Sequence, residues 1–153
     1  MTDAGTTAPT PPPPPPPPTG AEFLAHALVS EGVDRFFMVP GGHNDPFMSP
    51  MSRTPGLHTL VAAHEGGAAF MADGYARATG RLGAVFGIGG PGITNMATAL
   101  ASARVDGSAV IAISGEVPTA WEGQGGFQDA SGPDLDDVAA MRAVCTFSTR
   151  VES

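Results

Sequence analysis

One carboxylate, Glu65, stands at a junction between two kinds of sequence. An apolar run over residues 57–63 precedes it, and small residues follow in Ala62-Ala63-His64-Glu65-Gly66-Gly67-Ala68-Ala69. If the run is a strand of an open parallel sheet, Glu65 lies beyond its carboxyl end, where ligands collect. A carboxylate partly withdrawn from water there suits proton transfer. The plainer alternative is a helix-terminal acid that only answers the helix dipole. A second cluster, Gly87-Ile88-Gly89-Gly90-Pro91-Gly92, is a literal G-x-G-x-x-G after an apolar run and before a helical pattern. A dinucleotide-binding turn looks like this, but it also needs an acid at the end of the following strand. Asp106 comes before that strand, and Glu116 follows it. The other reading is a tight strand-to-helix turn whose glycines permit close backbone approach. His26, His43 and His58 lack ligand-like spacing, and no residue is read as a metal ligand.

The elements that must position these groups alternate. Phe23, Leu24, Ala27 and Leu28 recur at helical spacing before Gly32, and residues 35–39 form a short apolar run stopped by Pro40-Gly41-Gly42. A brief helix is expected over 45–51, a strand over 57–63, and a helix over 66–79 ending at Gly80. Residues 84–88 read as a strand. Ile93, Met96, Ala97, Leu100 and Ala101 mark one face of the next helix, with Pro91 suited to its first turn. The continuous apolar run 109–114 suggests a strand buried on both faces. A glycine-rich loop over 119–133, in which Trp121 offers an anchor, a short helix over 134–141 and a last strand over 144–151 complete the pattern. Strands separated by helices predict an α/β fold, a mostly parallel sheet with helices on both faces.

Composition narrows the possibilities. The chain has 153 residues, and nine of its 16 prolines, Pro9 and Pro11 to Pro18, fall in the first 20. Residues 1–20 are therefore expected to be a disordered, extended tail, with the single domain over 21–153. Such a tail is either a spacer or a ligand for an aromatic groove. The 15 acidic residues face seven basic ones, all arginine, for a net charge of −8, which argues against a nucleic-acid partner. The lone Cys145 excludes an intramolecular disulfide and reads as a structural thiol. With no apolar run near the roughly 18 to 20 residues of a membrane span, and no secretory leader pattern, the expectation is a cytoplasmic chain without membrane contact.

The stretch His64-Glu65-Gly66-Gly67-Ala68-Ala69-Phe70-Met71-Ala72-Asp73-Gly74-Tyr75-Ala76-Arg77-Ala78-Thr79-Gly80 closely resembles the pyrimidine-binding domain of thiamine diphosphate-dependent enzymes, in particular the acetolactate synthase-like group. Gly90-Pro91-Gly92-Ile93-Thr94-Asn95 is similar to that family's G-P-G-x-x-N turn, and Ile113-Ser114-Gly115-Glu116-Val117-Pro118 to its next strand and loop. Phe127-Gln128-Asp129 resembles its Phe-Gln-acid. The resemblance implies that Glu65 bonds the aminopyrimidine nitrogen and promotes removal of the thiazolium C2 proton. The activated cofactor then attacks a 2-oxo acid, with decarboxylation and carboligation. It further implies that Gln128 and Phe127 lie near thiazolium and substrate, that Pro91 and Asn95 shape the cofactor site, and that Pro40 and Gly41 face a neighbour's cofactor. Met38 departs from the family's glycine and Asp129 from its Glu, which bears on substrate preference and not on fold.

The same resemblance exposes a deficit. The family holds diphosphate and Mg²⁺ on another domain through Gly-Asp-Gly and a later Asn, oxygen ligands suited to a hard cation. Here Val105-Asp106-Gly107 has no asparagine after it, and Asp73-Gly74 is set in a helical pattern. The expected chain is thus half of a shared site, paired with a diphosphate-binding domain or subunit in a dimer or larger assembly. It is either a split subunit or a truncated copy, the domain lacking its last helix. Flavin occurs in the family, but no FAD site is read in this chain. A non-catalytic interaction module and a dinucleotide-binding domain are the alternatives.

Overall fold

The computed structural model describes residues 15–152, so most of the proline-rich segment, residues 1–14, lies outside the described residues. Residues 15–18 are exposed and carry no regular structure. Helix α1 (Gly20–Ser30) begins at Thr19, whose hydroxyl accepts from the Glu22 amide while the Glu22 carboxylate accepts from the Thr19 amide. That reciprocal cap satisfies two otherwise orphaned donors.

Strand β1 (Arg35–Met38) leads through a single 3₁₀ turn to α2 (Asp45–Arg53), then β2 (His58–Val61), α3 (Glu65–Thr79), β3 (Gly83–Ile88), α4 (Pro91–Asp106), β4 (Val110–Gly115) and α5 (Asp137–Arg142). The sheet is all parallel, in the order β2-β1-β3-β4. Alternation along the strands divides the core. Phe36, Met38, Ala84 and Phe86 pack with Ala25, Leu28 and Met51 of α1 and α2. On the other face Phe37 and Val85 meet Ala68, Ala69, Ala72, Ile93, Met96 and Met141 of α3, α4 and α5. The expected sheet with helices on both faces is therefore what forms. Pro46 sits in the first turn of α2, where a missing amide costs nothing, and Pro50 is tolerated close behind it.

Four local expectations are corrected. Residues 144–151 make no strand: Ser148 Oγ donates to the Val138 carbonyl and Arg150 to Glu122, so this stretch stays beside α5 and the 119–133 loop, with Phe147 and Val151 exposed. Val144 and Cys145 do pack, partly buried, against the core, but their amides both donate to the Met141 carbonyl in the turn that closes α5, so no strand starts there. The apolar β4 is an edge strand, and Ile111 is exposed. Trp121 does not anchor the long loop, being 65 % exposed; the fully buried Ala130 does. The last helix starts at Asp137, with Asp136 as its cap.

Candidate functional site

Pro40, Gly41, Glu65, Pro91, Asn95, Phe127 and Gln128 all follow the carboxyl ends of strands, whereas Asp106 lies at the opposite ends. Glu65 is the first residue of α3, but it does not cap that helix. His64 does, its Nδ1 accepting from the Gly66 amide at 3.0 Å. The Glu65 side chain is thereby free to cross to α4, where Asn95 Nδ2 donates to Oε2 at 2.9 Å. Among the described residues Oε1 takes no hydrogen bond. Met96 and the Glu65 stem both lie where a side chain at Gly87 would point, so the bare end of β3 lets the carboxylate stand close over the sheet.

Pro40 and Gly41 follow β1. A Cβ on Gly41 would stand 2.5 Å from Ile88 Cγ2, so this loop packs directly on the end of β3. Asn44, wholly buried, donates to the Val39 carbonyl at 3.1 Å, and its Oδ1 has no partner among the described residues. The sequence reading passed over Asn44; its place directly before a helix containing Pro46 was the available signal. Pro91 and Asn95 lie on the first turns of α4, both exposed. Phe127 points outward, 85 % exposed. Gln128 has φ 60°, the left-handed region that non-glycine residues adopt rarely. A side chain added at Gly90 would come within 3.8 Å of its carbonyl.

Two carboxylates line the turn after β3. Asp137 Oδ2 accepts from the Gly90 amide at 2.8 Å, and Asp137 Oδ1 is buried without a partner among the described residues. Glu116 Oε1 accepts from Val117 at 2.8 Å and from Ala130 at 3.4 Å. Burial pushes the Asp137 carboxyl up to about 6; Glu116 and Asp136 add to this, while the Gly90 amide and Arg150 oppose it. In the sequence Asp137 is only part of the short helix expected over 134–141, because nothing local reveals that α5 docks onto Gly90. No group of three or more His, Cys, Asp or Glu side chains among the described residues is placed to hold a metal ion. Two surface hollows lie elsewhere, one by Arg77, Arg81 and Asp106 at the amino ends of the strands, the other by Ser131, Arg142 and Arg150.

The family described as "Thiamine pyrophosphate enzyme, N-terminal TPP binding domain" matches residues 18–140. The chain belongs to this family. It is 43 % identical over 110 residues to the "Probable acetolactate synthase large subunit" of Methanococcus aeolicus, covering 72 % of this chain and 18 % of that protein. To "Acetolactate synthase isozyme 2 large subunit" of Escherichia coli K12 it is 39 % identical over 127 residues, 83 % of this chain and 22 % of the other. "Acetolactate synthase 1, chloroplastic" of Oryza sativa subsp. japonica is 41 % identical over 110 residues, 72 % and 17 %. The chain thus spans about a fifth of the length of these relatives.

The protein is therefore an acetolactate synthase-like, thiamine diphosphate-binding N-terminal domain, and the family implies further domains or subunits. Within such a domain the donor set fits the pyrimidine end of the cofactor. A carboxylate fixed by one oxygen, with the other open, can accept from or share a proton with a ring nitrogen. Among the described residues no helix is long and apolar enough to cross a membrane.

Proposed function

We propose that this domain supplies the pyrimidine-contacting, proton-handling half of a thiamine diphosphate site in an enzyme that decarboxylates and ligates 2-oxo acids. The observation that carries the reading is the Glu65 carboxylate, relieved of capping by His64 and held through Oε2 by Asn95. Fixing one oxygen leaves Oε1 in a defined place to hold a proton against a ring nitrogen, which is the positioning that general acid–base catalysis requires. When bound, thiamine diphosphate supplies the electron sink that decarboxylation of a 2-oxo acid needs. Pro40 and Gly41 shape a rim toward a neighbouring subunit's cofactor. Pro91 sets the start of α4, and Phe127 and Gln128 form the wall facing substrate. The diphosphate and Mg²⁺ contacts are assigned to a separate domain or subunit, and the assembly to a dimer or larger.

A dinucleotide reading is disfavoured by Asp137, whose carboxylate already takes the Gly90 amide that a pyrophosphate would need. The exposed apolar Leu60, Val61, Phe70 and Met71 also suit a non-catalytic interaction module, and one substitution separates the two readings. The full chain is mixed with candidate diphosphate-domain partners, thiamine diphosphate, Mg²⁺ and pyruvate, and exchange of the cofactor C2 proton is followed by NMR. Glu65→Gln should slow exchange at least a hundredfold. Unchanged exchange in the variant refutes the role of Glu65 and favours the interaction module.

A further inference from the structure

Asp137 is an unusual group to find in this place. It is buried, 8 % exposed, with one carboxylate oxygen unpaired, and it faces Glu116 and Asp136, with Arg150 the one cation acting on it. A buried, half-satisfied carboxylate is costly, so its bonds repay attention. Its side chain takes the Gly90 amide at 2.8 Å, and its own amide donates to the Ala130 carbonyl at 3.0 Å. Ala130 in turn donates to Glu116. One residue thus ties α5 both to the start of α4 and to the loop that carries Phe127 and Gln128. Gly90, with φ 65°, opens the helix whose next turn carries Asn95, and Asn95 holds Glu65. Gln128, in its left-handed conformation, belongs to the same loop, and its carbonyl would stand 3.8 Å from a side chain added at Gly90. A strained backbone of that kind persists only where neighbours over-determine it.

We propose that Asp137 is the positioning residue of this site, holding the Gln128 loop and the Asn95–Glu65 pair in one arrangement through the Gly90 turn. The inference rests on the functional reading above for what is positioned, but its test needs no cofactor. Asp137 senses pH through the burial and the neighbouring carboxylates that set its carboxyl near 6, so the groups it positions should report its protonation.

The full chain is labelled with ¹⁵N, and the Gly90 backbone amide and the Gln128 and Asn95 side-chain amides are followed from pH 4.5 to 7.5. In the wild type all three should move together with a midpoint near 6. Asp137→Asn keeps an acceptor for Gly90 and should hold the resonances in place while abolishing that midpoint. Asp137→Ala removes the acceptor and should speed hydrogen exchange at Gly90 at least tenfold, with the α3 interior at Ala69 unchanged. Should the alanine variant fail to fold, the asparagine variant and the wild-type titration still decide. A Gly90 titration without movement at Gln128 and Asn95 makes Asp137 a local contact and overturns the inference. A midpoint that survives Asp137→Asn, or that disappears in Glu116→Gln with Asp137 intact, overturns it as well. Failure of Glu65→Gln to alter C2 exchange bears only on the functional reading, because the amide titration is measured without cofactor.

Discussion

Replacing Asp137 by Asn should stabilise the protein at neutral pH, although the residue is buried and bonded. Its carboxyl sits at about 6 in the folded chain against 3.8 for a free aspartate side chain, so the native state binds this proton more tightly than the unfolded chain does. The stabilisation is complete below pH ~4 and is lost as pH rises through ~6. At about 1.4 kcal/mol per tenfold change, the full displacement corresponds to roughly 3 kcal/mol. Asparagine keeps the carbonyl acceptor for Gly90 and removes the repulsion from Glu116. It leaves an amide to be satisfied, which reduces the expected gain to about 2 kcal/mol at pH 7.5. Urea denaturation of both proteins at several pH values measures the difference directly. The gain should shrink toward zero by about pH 4. A variant less stable than wild type at pH 7.5, or a difference that does not change with pH, would refute the argument that the ionised carboxylate is held at a cost.

Two steric predictions follow from close approaches. Gly41→Ala should cost about 1 to 2 kcal/mol, because the added Cβ meets Ile88 Cγ2 at 2.5 Å. Ile88→Ala in the same chain should recover part of that loss, and a double-mutant cycle on urea midpoints measures the coupling. Gly83→Ala should be worse, about 3 kcal/mol or more, since its Cβ would press on the carbonyl of Ala72, a backbone group in mid-helix that cannot swing aside. Thermal unfolding would show it, and a change within a degree of wild type contradicts the packing described.

The elements most legible in the sequence were those with punctuation. Helix α3 lies between His64 and Gly80, and α4 starts at Pro91, because caps and a proline at the first turn are local signals that the sheet only confirms. Glu65 and Asn95 were both marked by the family resemblance, yet their bond joins residues 30 apart and no local pattern contains it. Asp137 illustrates the limit more sharply, since its partner Gly90 is 47 residues away. Residues 144–151 carry strand-like side chains, but a strand needs a free partner edge and a buried face, and this stretch instead follows α5. The apolar β4 misled in the opposite sense, because composition reports what a strand could bury and not whether it lies at an edge.

Strand β3 carries glycine at both Gly83 and Gly87, and at each the space beside the backbone is already taken, by Ala72 of α3 at one end and by Met96 of α4 at the other. The gap between helix and sheet is therefore set by two absent side chains, which makes β3 a gauge block for the layer above it. An alanine at Gly87 would act as a shim against Met96, the residue beside Asn95, and so would press on the partner of Glu65 before Glu65 itself.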